Sequence, residues 1–327
     1  MKSSRNNPLE SILVTGGTGF IGSHLVDRLL ARGARVTVLD NFNDFYDPRI
    51  KRANIASHLD FQGYTLVEGD IRVPGTVNQT FAKGGFHLVI HLAAMAGVRP
   101  SVENPALYHE VNLIGTMNVL EAIRQYGVPK LVFASSSSVY GNNTKVPFAE
   151  SDPVDHPISP YAATKKAGEL MAHTYHHLYG INTACLRFFT VYGPRQRPEM
   201  AICKFTDRIT RGQEIDVYAE GHSRRDYTYI DDIIDGVMAA CDADLEYEII
   251  NLGRSDTVGL LDLITKLEKL LGKKAKTRLM PSQPGDVEQT YADITKARRL
   301  LGFQPRVSID TGLARFAEWY LNRRGSK

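Results

Sequence analysis

The chain has 327 residues, 43% hydrophobic and 23% charged, an ordinary globular balance that argues against disorder and leaves room for about two domains. Thirty-nine Lys and Arg stand against 36 Asp and Glu, a net charge of +3, which gives no overall basic footprint for nucleic acid but allows a local arginine cluster around an anionic small molecule. Cys185, Cys203 and Cys241 match no zinc or CxxC spacing and read as buried free thiols. The first seven residues lack an apolar signal core and no apolar run nears the ~18 residues of a membrane helix, so a soluble, cytoplasmic protein without a metal site is expected.

Ser11–Thr15 reads as a strand and Phe20 to Arg32 as a helix stopped by Gly33. Further strands are expected at Arg35–Leu39, Thr65–Glu68, His87–His91, Lys130–Ala134 and Thr183–Arg187, with long helical patterns at Pro105 to Tyr126 and Ser159 to Tyr179. Strands that are apolar on both faces and alternate with helices imply an α/β fold with a Rossmann-type, doubly wound parallel sheet. After Arg187, loops rich in Pro, Arg and Gly appear, followed by short elements and a C-terminal helix around Ile309 to Asn322. Tyr247–Asn251 looks like a strand that rejoins the first sheet. The expected division is therefore discontinuous: 9–187 plus about 228–254 as a dinucleotide-binding domain, and about 188–227 plus 255–327 as a smaller α/β substrate-binding domain.

Between the first strand and helix stands Thr15-Gly16-Gly17-Thr18-Gly19-Phe20-Ile21-Gly22, a GxxGxxG run at a strand–turn–helix junction. Gly16 permits the tight turn, Gly19 lets a pyrophosphate approach the backbone, and Gly22 lets helix and strand pack closely; the helix N-terminus then faces the phosphates. Asp40 closes the second strand, where a carboxylate accepts bonds from an adenine ribose and repels a 2′-phosphate, favouring NAD over NADP. An ordinary turn residue is the alternative there. Asp70, after the third strand, is read either as an adenine contact or as a turn signal.

Tyr161-Ala162-Ala163-Thr164-Lys165 is a YxxxK run that puts phenol and ammonium on one helix face. The charge of Lys165, with an oxidised nicotinamide, is expected to lower the Tyr161 pKa and make a base for a sugar hydroxyl. Ser135-Ser136-Ser137-Ser138 lies at the C-terminal end of the Lys130–Ala134 strand, where ligands of open parallel sheets bind, and a serine there can share the hydroxyl proton.

From the glycine loop to Tyr291-Ala292-Asp293, these motifs together resemble the extended short-chain dehydrogenase/reductase family, in its nucleotide-sugar epimerase branch. The resemblance implies Ser136, Tyr161 and Lys165 as the catalytic triad. It implies a cofactor set completed by Phe20, Ile21, Asn41, Asn43, Ile71, Ser135, the Leu92-Ala93-Ala94 segment past the nicotinamide ribose, and Asn112 beside the cofactor. Asn112 otherwise reads as a helix-surface residue. Dehydratases of this family carry Asp-Glu before Val-Tyr-Gly and decarboxylases a Glu; Ser137 and Ser138 stand there in this chain, and serine is a poor substitute for a carboxylic acid. That leaves C4 oxidation, rotation of the ketone and re-reduction, which is 4-epimerisation.

Leu39 to Pro48, Ala96 to Arg99, and Phe188 to Ala201 resemble the members of this branch that act on UDP-glucuronate. Thr190 and Arg197, with Arg99 behind them, are candidates to hold a C6 carboxylate, since a bidentate arginine suits that group; solvated loop charges are the alternative. Ser137 joins the sugar contacts. By the same resemblance Arg225, Gln283 and Asp286 meet the diphosphate and ribose, although many relatives carry arginine near position 283, and Val217 and Tyr218 supply backbone groups to uracil. The helices Pro105–Tyr126 and Ser159–Tyr179 have broad apolar faces, and in this family such helices pair as a four-helix bundle, so a homodimer is expected; burial within one monomer is the other explanation. Three other readings stay open: a UDP-glucose or UDP-N-acetylhexosamine 4-epimerase with the same triad, a decarboxylase lacking the usual acid, and a non-catalytic NAD-binding regulator, against which retention of Ser136, Tyr161 and Lys165 argues.

Overall fold

A computed structural model describes residues 11–282, 285 and 287–325. The strands are β1 (Ser11–Thr15), β2 (Arg35–Asp40), β3 (Tyr64–Glu68), β4 (Leu88–His91), β5 (Lys130–Ser136), β6 (Asn182–Phe188), β7 (Thr190–Tyr192), β8 (Glu214–Tyr218), β9 (Arg224–Arg225), β10 (Tyr227–Tyr229), β11 (Tyr247–Leu252), β12 (Val258–Gly259) and β13 (Lys276–Met280). Seven of them form one sheet in the order β11-β6-β5-β4-β1-β2-β3, every pairing parallel. The strands expected from the sequence are all present, with ends displaced by one or two residues.

Parallel strands need crossovers, and helices cover both faces here. On β1, Ile12 and Val14 pack into one layer with Leu25 and Leu29, whereas Leu13 packs into the other with Val89, Phe133 and Ile123. That is why the strand reads as continuously apolar rather than alternating. The strand order reverses between β1 and β4, so the crevice outside their C-terminal ends is where such a sheet receives a ligand. The remaining strands make three two-stranded pairs, β7 with β10, β8 with β13 and β9 with β12. They build the opposite wall of the crevice.

Local chemistry sets the ends of the helices that matter. The helix Phe20–Ala31 stops at Gly33, whose φ of +87° is left-handed. The helix Pro160–Tyr179 opens with Pro160 in its first turn and Ser159 as cap, its Oγ accepting from the Ala162 N–H at 3.2 Å, and closes at Gly180 in the left-handed region. The pattern Pro105 to Tyr126, expected as one helix, is divided: Pro105–His109 and Thr116–Gln125 are α-helical and Glu110–Gly115 is a π turn. The π turn swings Asn112 inward to bonds described below, and a Cβ on Gly115 would sit 2.6 Å from Ile71 Cδ1. Among the described residues no helix is long and apolar enough to cross a membrane.

Candidate active site

The crevice is a single cleft of about 1170 Å³ between the sheet and the short-strand wall. All the described residues expected at the site line it except Asn112 and Val217; Gln283 and Asp286 lie outside the described residues.

The glycine turn is built by exclusion. Gly16 has φ +72°, and a Cβ there would lie 2.7 Å from the Ala93 nitrogen; at Gly22 it would lie 2.2 Å from the Gly16 oxygen. No side chain caps the helix that follows, so its first N–H groups remain for an anion. Asp40 is buried. One oxygen accepts from the Thr18 N–H at 3.2 Å, the other from the Phe42 N–H at 3.0 Å, and Lys51 Nζ stands 3.9 Å away. The carboxylate therefore pins the turn as well as facing the cleft, with lone pairs left for ribose hydroxyls. Asn41 donates to Asp70 at 2.9 Å, and its side-chain oxygen accepts from the Asn43 N–H at 3.0 Å. Burial opposes ionisation of Asp70, but the Arg72 guanidinium and backbone N–H overcome it and hold the group below the ordinary carboxylate range. A turn that only glycine fits, an uncapped helix start and a fixed carboxylate after β2 fit a dinucleotide without a 2′-phosphate.

Asn112 stands one layer behind the cleft rather than in it. Its side chain accepts from the Met95 N–H (2.8 Å) and donates to the Met95 carbonyl (3.0 Å) and to Thr164 Oγ1 (3.0 Å), tying the loop after β4 to the Tyr161 helix. His91 is similarly hidden, with ring nitrogens 2.6 Å from Thr15 Oγ1 and 3.0 Å from Thr116 Oγ1. Burial, reinforced by the charge of Lys165, pushes its pKa down to about 3, so the ring is neutral.

The four serines divide their work. Ser135 Oγ turns away from the cleft and donates to Glu169 at 2.6 Å, so only its backbone side is available to a cofactor. Glu169 is fully buried in an ion pair with Arg187 (2.8 and 2.9 Å). Ser136 Oγ accepts from the Ser138 N–H and donates to Ser138 Oγ, both at 3.2 Å, and lines the cleft with Tyr161. Lys165 is buried and donates to the Ala134 carbonyl at 2.7 Å; its Nζ is 6.0 Å from the centre of the Tyr161 ring. Burial lowers its pKa to about 8, while Glu169 pulls the other way. The protein's own groups, without the nicotinamide charge that the expectation also invoked, leave the Tyr161 pKa raised. Burial raises it, and the neighbours that favour tyrosinate are Ser136 and the charge of Arg197.

On the opposite wall, the Thr190 N–H donates to the Asp226 carbonyl at 3.1 Å, and Arg197 Nε lies 3.2 Å from Glu199. Arg99 stacks its guanidinium 4.2 Å over the Tyr218 ring, bridging the walls. Arg225 donates to the carbonyls of Arg224, Val287 and Glu288 at 2.6 to 3.0 Å. Val217 is not a cleft residue by side chain: β8 alternates, sending Ile215 and Val217 into the core and Asp216 and Tyr218 to the cleft. Lys51, Glu199 and Lys204 line the cleft and were missed. Lys204 shares a helical face with Met200, Ala201 and Phe205, a spacing visible in the sequence; burial lowers its pKa, with Arg208 adding to the effect.

Several relatives resemble the chain throughout. UDP-glucuronate 4-epimerase 3 of Arabidopsis thaliana is 47% identical across 95% of this chain and 76% of its own. The crystal structure of a UDP-glucuronic acid 4-epimerase from Bacillus cereus, in complex with UDP-glucuronic acid and NAD, superposes with a TM-score of 0.90 at 36% identity, covering 95% of this chain and 99% of that one. A UDP-glucose 4-epimerase from Thermotoga maritima, solved with UDP-glucose, gives 0.88 at 34% identity, covering 97% and 99%. The family model for GDP-mannose 4,6 dehydratase matches residues 13–316, and the chain belongs to that family of extended short-chain dehydrogenase/reductases.

Proposed function

We propose that the protein is an NAD-dependent UDP-sugar 4-epimerase, an isomerase that interconverts UDP-glucuronate and UDP-galacturonate. The observation that carries this reading is one cleft in which Ser136, Tyr161 and the buried Lys165 face Thr190 and Arg197. Its relatives named for UDP-glucuronate support the substrate.

Bound NAD supplies reversible hydride acceptance at the sugar C4. The chain's own groups do the rest. Tyr161 takes the C4 hydroxyl proton and Ser136 shares it, and the same pair returns it to the epimeric hydroxyl. Lys165 keeps a positive charge beneath the phenol ring. Arg197 and Thr190 hold the C6 carboxylate. A carboxylate clamped out of line with the C4 ketone resists loss of CO₂, and Ser137 and Ser138 offer no acid to promote it. Arg225 and Tyr218 face the UDP end, with Arg99 between the walls. The two-part division, 9–187 with about 228–254 against about 188–227 with 255–327, follows these roles.

Incubation with UDP-glucuronate and with UDP-glucose separately, read by NMR, tests the reading: UDP-galacturonate is expected from the first. Epimerisation of the neutral sugar alone would move the assignment to the UDP-glucose enzymes, a reading that the Thermotoga maritima likeness keeps specific.

The reading includes a cytoplasmic homodimer. Ile114 and Met117 on one helix, and Leu170, Leu178 and Tyr179 on the helix beside it, are 40 to 60% exposed, more apolar surface than a lone helix pair normally shows. Leu170→Glu with Leu178→Glu is expected to convert the dimer to monomer in sedimentation velocity; an unchanged sedimentation coefficient would place the interface elsewhere.

A further inference from the structure

Arg197 already holds a carboxylate in this structure. Its Nε lies 3.2 Å from a Glu199 oxygen, its guanidinium is 5.8 Å from the centre of the Phe45 ring, and both members of the pair line the cleft. Among the described residues Glu199 is the carboxylate within ion-pair distance of Arg197. The pair is carried on a closed turn, since the Met200 N–H donates to the Arg197 carbonyl at 3.1 Å, and Pro198 between them restricts the backbone. Glu199 is therefore tethered where an incoming anion would sit. The side chains are 21% and 38% exposed, and ion pairs with that much contact with water are weak and exchangeable.

We propose that Glu199 is an internal stand-in for the substrate carboxylate, occupying Arg197 while no uronate is bound and yielding it to the C6 carboxylate of a uronic acid sugar, so that this exchange tempers the preference for uronate over neutral sugars that Arg197 confers. The inference rests on the uronate reading above. Its chemistry is a carboxylate-for-carboxylate replacement at one guanidinium fork. A hydroxymethyl group has no charge to offer, so with a neutral sugar Arg197 stays on Glu199. Glu199 thus acts through Arg197 as a specificity residue, and its negative charge also reaches the neighbouring phenols Tyr46 and Tyr108, whose protonated forms it favours.

The test is a double-mutant cycle on NAD-loaded protein, using UDP-glucuronate and UDP-glucose as probes, with KM from turnover and Kd from calorimetry. Glu199→Gln is expected to tighten UDP-glucuronate about two- to five-fold, the worth of one such ion pair, and to leave UDP-glucose within the error of the wild type. In an Arg197→Met background the same substitution is expected to give no tightening. If it tightens UDP-glucuronate equally without Arg197, plain repulsion is at work and the exchange is overturned. If wild type epimerises UDP-glucuronate but Glu199→Gln fails to tighten it, the exchange is overturned while the functional reading stands. If wild type epimerises only UDP-glucose, that reading falls and takes the exchange with it.

Discussion

The two walls of the cleft recognise ligands by different physics. The sheet wall works by exclusion: Gly16 and Gly22 leave no room for a Cβ, Asp40 is locked by two backbone N–H groups, and the first turn of a helix stays uncapped. The short-strand wall works by charge. Arg197 leans on a neighbouring carboxylate, Arg225 is fixed to backbone carbonyls, and Arg99 lies on an aromatic ring. A wall made of backbone tolerates one ligand shape. A wall made of long cations can be retuned by single substitutions, because each guanidinium has partners that can be changed without disturbing the core.

The largest expected effect lies where the walls meet. Tyr161→Phe removes the proposed proton acceptor and should cut kcat by about 10²- to 10⁴-fold with NAD still bound, measured by turnover and by cofactor content after purification. Normal turnover would sink the tyrosine-base mechanism. Arg197→Met should weaken UDP-glucuronate by about 10- to 100-fold, the range for a lost charged hydrogen bond, with NAD affinity unchanged. Loss of NAD as well would show that the walls are not independent. Gly22→Ala makes the converse case: a Cβ 2.2 Å from the Gly16 oxygen should cost about 1–3 kcal/mol of stability and strip the cofactor, read by thermal melts and NAD absorbance. Retained NAD with full stability would break the steric account of that wall.

A further effect is a pH dependence on the sheet side. The His91 pKa is depressed from 6.5 to about 3, so the unfolded chain binds a proton that the folded one refuses. Its contribution to stability is present above pH 6.5 and is lost as the pH falls from there toward 3, by up to a few kcal/mol. His91→Gln should flatten that part of the urea-midpoint profile, and an unchanged slope would assign it to other groups.

The legible parts of the molecule were those whose determinants are local. The β1–glycine–helix unit is a run of apolar residues, a turn only glycine satisfies and a helix stop at Gly33, all adjacent in sequence. Tyr161 and Lys165 sit four apart and meet as their spacing dictates. The misreadings came from tertiary partners. A π turn adds only one residue to a helical period, so Glu110–Gly115 left the apolar pattern between Pro105 and Tyr126 almost intact. Ser135 lines the cleft, but nothing in four consecutive serines reveals that Glu169 waits behind the first of them and takes its hydroxyl. The burial that raises the Tyr161 pKa comes from tertiary packing and leaves no trace in the local spacing. The inward side chain of Val217 follows from period-two alternation in Glu214–Tyr218 and leaves its backbone groups on the strand that carries Tyr218.

The last strand of the sheet carries a consequence for inheritance. β11 joins the sheet edge only after the chain has laid down β7 to β10 in the opposite wall, and the chain then leaves again for β12 and β13. No single crossover between two related genes can therefore exchange one wall whole. A recombinant would receive fragments of both, with Tyr247–Leu252 from one parent asked to pair with Asn182–Phe188 from the other. Lineages with this topology are expected to change sugar preference through point substitutions in short segments such as 193–200, leaving the cofactor wall unaltered.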